Sequence, residues 1–244
     1  MSTVLLLPGF GGAASMMPFF CDGVITAGKT QVPVVYNNFD LDYSAVVAGA
    51  AQLDTAIHDF IGSGHVTIFG HSDGARVANY WLAQYGPTST VPAANIDFVL
   101  LGDSVNRYGG VLYDAAANNT CPLSTPYTVL DFIRQYDGWA DFPQDVTNQN
   151  AINNAMMGAN NIHADYFGVT PSDAYVYSKV DGNVTHKWVM TYPVALAIPP
   201  FLASSYMSDL SWLNSSFEDQ DKYWRPIIEP AYSRPVTIPT PPYA

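Results

Sequence analysis

The sequence predicts an α/β protein, a three-layer sandwich around a mostly parallel central sheet. Several short runs are apolar at every position, as strands covered on both faces must be. They alternate with segments whose apolar residues recur every three or four positions, the helical period. The chain has 244 residues, 48% hydrophobic and only 12% charged, which suits one core-bearing domain and excludes intrinsic disorder.

Thr3–Leu7 is a branched apolar run closed by Pro8-Gly9-Phe10-Gly11-Gly12, a strand leaving into a glycine loop. Residues 31–36 form a second strand. Over 43–60, Val46, Val47, Ala50, Leu53, Ile57 and Phe60 keep helical spacing, and Gly62-Ser63-Gly64 ends that helix. Residues 65–69 are a third strand, and Ala75, Ala78, Trp81, Leu82 and Tyr85 mark the next helix. Residues 96–101 and 127–134 are further strands, with weaker helical spacing over 150–157. Residues 174–180 and 185–191 alternate around Asp181-Gly182-Asn183, which predicts a β-hairpin. The one composition shift is C-terminal: six prolines between Arg225 and Ala244 predict an extended arm rather than a helix. The domains are therefore residues 1–224 and an arm at 225–244, the arm being either a free tail or a strap onto a neighbouring subunit.

Charge and cysteines exclude several functions. Nine Lys plus Arg against 21 Asp plus Glu leave −12, the wrong sign for tracking nucleic-acid phosphates or docking on anionic lipid. No apolar run is long enough for a transmembrane helix. Cys21 and Cys121 make no disulfide framework or zinc cluster; they are either one bridge or two buried thiols. Met1-Ser2-Thr3 lacks a basic n-region, so no signal peptide is expected.

Gly70-His71-Ser72-Asp73-Gly74 fits Gly-x-Ser-x-Gly and lies between a predicted strand and a predicted helix. That is where a nucleophile elbow sits: the glycines clear a sharp turn, and the helix N-terminus faces developing negative charge. Read without that context, the pentapeptide is an ordinary glycine turn with a serine cap. An oxyanion hole draws one backbone N–H from the residue after the nucleophile, here Asp73. The other comes from a loop after an early strand, here Phe10 or Gly11.

In α/β-hydrolases the order along the chain is serine, acid, histidine. His58, His65 and His71 precede any late acid, and His186 lies inside an alternating strand. His163, in a loop, is the candidate base. The acid should leave the end of strand 127–134, where Asp137 and Asp141 flank Gly138. An acid beyond the turn that Gly138 makes favours Asp141, with Asp137 as the alternative and Asp103 as an outsider.

These stretches resemble the PE-PPE domain, a cutinase-like serine esterase family of mycobacteria. The resemblance rests on residues 70–74, on 101–112 (Leu-Gly-Asp-Ser-Val-Asn-Arg-Tyr-Gly-Gly-Val-Leu), on 136–144 (Tyr-Asp-Gly-Trp-Ala-Asp-Phe-Pro-Gln) and more weakly on 162–166. It implies an α/β-hydrolase fold, hydrolysis of short to medium acyl esters, and no metal or organic cofactor. It places the nucleophile on Ser72 and the base on His163, and leaves the acid within 136–143. A leaderless, stand-alone copy resembles those carried by mycobacteriophages. The expectations that follow are a virion (tail) location at the mycolate-rich bacterial envelope, otherwise the cytoplasm, and homo-oligomer or virion neighbours reached through the arm.

The expected function is thus a serine ester hydrolase acting on acyl-ester or lipid substrates. The alternatives are a non-catalytic virion component that binds envelope lipid or glycan, and an acyltransferase using the same residues. Residues 107–125 and the apolar stretch 190–206, with Phe201 and Leu202, are candidates either for an acyl-site lining or for ordinary core.

Overall fold

The structure is a computed structural model that describes residues 2–117, 119–197 and 214–243. Seven strands form one sheet: β1 (Thr3–Leu7), β2 (Thr30–Pro33), β3 (Val66–His71), β4 (Ile96–Leu101), β5 (Thr128–Arg134), β6 (Val176–Asp181) and β7 (Val184–Val189). Their order is β2-β1-β3-β4-β5-β7-β6, and every pair is parallel except β6 with β7. The alternating segment is the expected hairpin, docked with β7 against β5.

The continuous apolar runs follow from the two-residue period of a strand. In β1, Leu5 and Leu7 pack with Val46, Ala50, Leu53 and Ile57 of α1 (Tyr43–Ile61) and Ala78 and Trp81 of α2 (Asp73–Gln84). Val4 and Leu6 point the other way, to Met17, Phe20 and Tyr166. Covered on both sides, such a strand is apolar at consecutive positions, here Val4 to Leu7. Cys121 lies in the first of these cores and Cys21 in the second, on opposite faces of the sheet, and both thiols are free. The bridged alternative is therefore excluded by the sheet between them.

Two further α-helices lie among the described residues. α3 (Gln149–Asn161) opens with the Asn148 side chain accepting the Ala151 N–H at 3.1 Å. α4 (Asn214–Ile228) corrects the expected boundary at 224/225, because the helix continues through Arg225 and Pro226. Pro226 lies so near the end that its missing N–H removes one hydrogen bond without breaking the helix. The chain beyond makes one 3-10 turn (Glu229–Ala231) and then runs on without regular structure, packed on its own domain. Arg234 pairs with Asp141 and Glu229, Ile238 is buried, and the Tyr243 hydroxyl donates to Asp221 at 2.6 Å. The described arm thus straps this chain. Among the described residues no helix is long and apolar enough to cross a membrane.

Candidate active site

Strand order brings the site together. β1 and β3 are parallel neighbours with Leu7 beside Gly70, so the loops leaving their carboxyl ends meet. One is Pro8 to Gly12; the other is the turn into α2 that carries Ser72. Ser72 has φ 54° and ψ −114°, a conformation that costs a non-glycine residue of the order of 1–3 kcal/mol. Packing enforces it. A Cβ on Gly74 would lie 1.9 Å from the Leu7 carbonyl oxygen, so only glycine lets α2 start this close to β1. The Ser72 N–H is tied to the Leu101 carbonyl at 2.9 Å.

His163 hangs from the end of α3, its N–H donating to the Gly158 carbonyl at 3.0 Å. α3 lies directly on the turn that follows β5. A Cβ on Gly138 would sit 1.8 Å from the Ala155 oxygen, and one on Gly158 2.0 Å from the Tyr136 oxygen. This close approach carries Asp137 to the imidazole. His163 Nε2 is 2.7 Å from Ser72 Oγ, and His163 Nδ1 is 2.8 Å from Asp137 Oδ1.

Asp141 is not the partner of His163, which corrects the favoured acid. Its carboxylate accepts from Arg234 Nε at 2.8 Å, Arg234 Nη2 at 2.6 Å and the Tyr136 N–H at 2.7 Å. Gly138 is not a turn to be passed before the acid but a contact point against α3, and the residue before it faces the histidine. Asp103 turns instead to Asn79 and the Val105 N–H. Burial and the nearby Asp131 push it up to about 8. His186 pairs across the sheet with Asp131 at 2.8 Å, buried, as its place in an alternating strand implied.

Asp137 is fully buried, which by itself would raise its pKa. His163 beside it, with hydrogen bonds from His163, the Trp139 N–H and the Tyr166 hydroxyl (2.8 Å), outweighs that and holds it below the usual carboxylate range. His71, excluded above by its place in the chain, matters here. Its Nε2–H donates to the His163 carbonyl oxygen at 2.9 Å. Burial, then the neighbouring His163, lowers its pKa to about 4, so it is a neutral imidazole. Tyr166 and His71 touch edge to face, completing a layer beneath the histidine and the acid. Their positions beside His163 and Ser72 in sequence were the only available hint.

The two loop candidates for a second backbone donor separate. The Gly11 N–H is taken by the Asn38 carbonyl at 2.8 Å, whereas Phe10 lines the cavity over Ser72. Asp73 opens α2, where no residue of the helix precedes it to accept its N–H. The cavity has a volume of about 380 Å³ and a mainly apolar wall that includes Met16, Met17, Phe20, Leu112 and Phe167. Leu112 comes from the 107–125 segment. Of the other candidate lining, Val194, Ala195 and Ala197 are buried core against α3 and α4. Phe201 and Leu202 lie outside the described residues.

A serine oxygen, an imidazole and a buried carboxylate in one hydrogen-bonded row can deliver an alkoxide-like nucleophile. No group of three or more metal-ligating side chains exists among the described residues.

The PE-PPE domain model matches residues 21–233. Esterase PE16 of Mycobacterium tuberculosis is 35% identical over 140 residues, 52% of this chain and 26% of that protein. PE family protein PE3 of the same organism is 32% identical over 143 residues, 53% of this chain and 30% of that protein. The chain thus spans about a quarter of the length of the curated relatives it matches. Among solved structures, a cutinase-like protein from Cryptococcus sp. is 18% identical with a TM-score of 0.45, covering 58% of this chain and 79% of that one. An acetyl xylan esterase is 13% identical with a TM-score of 0.37, covering 94% and 97%.

Proposed function

The chain belongs to the PE-PPE domain family, and we propose that it is a serine ester hydrolase that cleaves acyl esters through an acyl-enzyme. The observation that carries this is the hydrogen-bonded row Ser72–His163–Asp137 opening into an apolar cavity. The similarity to a protein named Esterase PE16 supports the reaction class.

Ser72 Oγ attacks the ester carbonyl as His163 Nε2 takes its proton. Asp137 holds the Nδ1–H side of the ring, fixing its tautomer and stabilising the imidazolium as it forms. The backbone N–H groups of Asp73 and Phe10 receive the tetrahedral oxyanion, and the dipole of α2 adds to them. His163 then protonates the departing alcohol, and water repeats the sequence on the acyl-enzyme to release the acid. The Met16, Phe20 and Phe167 wall takes the acyl chain.

The test is turnover of p-nitrophenyl esters from C2 to C16 by wild type, Ser72→Ala and His163→Ala, with fluorophosphonate labelling of Ser72. We expect wild-type turnover that drops by at least about a thousandfold in both variants. An inert wild type whose Ser72 is not labelled would overturn the reading.

A further inference from the structure

Asp73 poses an electrostatic problem that the reaction must solve. Its backbone N–H faces the oxyanion, yet its side chain brings a carboxylate to the same place, only 2% exposed. Oδ1 accepts from Arg76 Nη1 at 2.7 Å; Oδ2 is buried with no hydrogen-bond partner. Among the described residues lining the cavity, Asp73 is the only carboxylate and Arg76 the only Lys or Arg. Asp40 adds to the negative field at Asp73.

We propose that Arg76 is a charge-compensating positioning residue: by pairing with Asp73 it lets the oxyanion form beside a neutral ion pair instead of an unshielded negative charge. This rests on the serine-hydrolase reading above. With adjacent Cα atoms about 3.8 Å apart and the Ser72 and Asp73 side chains both reaching the same cavity, a separation on the order of 6–7 Å between that carboxylate and the developing charge sets the scale. At an effective dielectric constant of about 20, the repulsion would slow the chemical step roughly 10- to 100-fold. Because the oxyanion exists only in the transition state and intermediate, the loss belongs in kcat and not in KM.

The experiment compares wild type, Arg76→Gln, Arg76→Lys, Asp73→Asn and the Asp73→Asn/Arg76→Gln double variant. Rates on p-nitrophenyl butyrate are normalised by fluorophosphonate titration, so misfolded protein is not counted. Gln keeps a hydrogen bond to Asp73 while removing the charge. Arg76→Gln should lower kcat roughly 10- to 100-fold, weaken an alkylboronic acid, which adds to the serine as a tetrahedral anion, by a similar factor, and leave KM within about twofold. Arg76→Lys should retain most of the rate, and in the Asp73→Asn background Arg76→Gln should cost nothing further. An equal loss in both backgrounds, or a loss confined to KM, would overturn the proposal while leaving the hydrolase reading standing. A wild type inert to esters and unlabelled at Ser72 would remove both.

Discussion

Asp137 and Asp141 lie four residues apart in one turn, both buried, and the structure gives them separate partners, whose roles two substitutions distinguish. Asn at 137 keeps the volume, but its amide nitrogen replaces one of the two oxygens that accept from the Trp139 N–H and the Tyr166 hydroxyl, and an amide facing Nδ1 stabilises the wrong imidazole tautomer. The expected loss is about ten-thousandfold in kcat, about 5.5 kcal/mol of transition-state stabilisation. Asn at 141 instead takes the charge opposite Arg234, a side chain only 4% exposed that makes three contacts to that carboxylate within 3.0 Å. Breaking a buried pair from one side costs roughly 3–5 kcal/mol. Glu229 keeps its hold on Arg234, which favours the lower figure. In a chain of this size about 3 kcal/mol corresponds to a fall in Tm of roughly 6–12 °C. Thermal unfolding and ester turnover per titrated active site, measured on both variants, check the division. Asp141→Asn losing kcat as heavily as Asp137→Asn, with Tm unchanged, would refute the assignment.

Three other outcomes are expected. Tyr166→Phe removes one of the donors that hold Asp137, and should lower kcat about 3- to 10-fold with KM unchanged in steady-state kinetics, since the aromatic packing stays. His71 makes stability sensitive to acid. Unfolded, its imidazole takes up a proton near 6.5; folded, it resists until about 4, so the unfolded state binds more protons between these values. Stability from this group is therefore present above pH 6.5 and lost as pH falls toward 4, by on the order of 3 kcal/mol. Chemical denaturation at pH 7.5 and 4.5 should show this loss, smaller in His71→Gln, whose amide still donates to the His163 carbonyl. Removing residues 232–244 leaves the buried Asp141 without its cation; the truncated chain should lose several kcal/mol in denaturant titration. Intact stability after truncation would mean that the arm is not integral to the domain.

Much of this protein was legible in one dimension because local rules and global demands agree. Apolar positions on consecutive residues of β1 and β4 are needed wherever a strand has a helix layer on each face, and the sheet meets that demand. Gly-His-Ser-Asp-Gly between a strand and a helix marks a turn that few other sequences can make, so Ser72 could be picked out before any fold was known. His163 followed from chain order and from its place in a loop. What no pattern contained was the approach of α3 to the turn at 136–138, set by contact between Gly138, Gly158 and two carbonyl oxygens. That contact selects Asp137, and Arg234, ninety-three residues further on, claims Asp141. Occupancy decided the rest: Asn38 consumes the Gly11 N–H, and α4 absorbs Pro226. Residue type and spacing carry the chemistry a chain is capable of. Which of two equivalent side chains performs it depends on long-range neighbours competing for the same hydrogen bonds, and that competition exists only once the chain is packed.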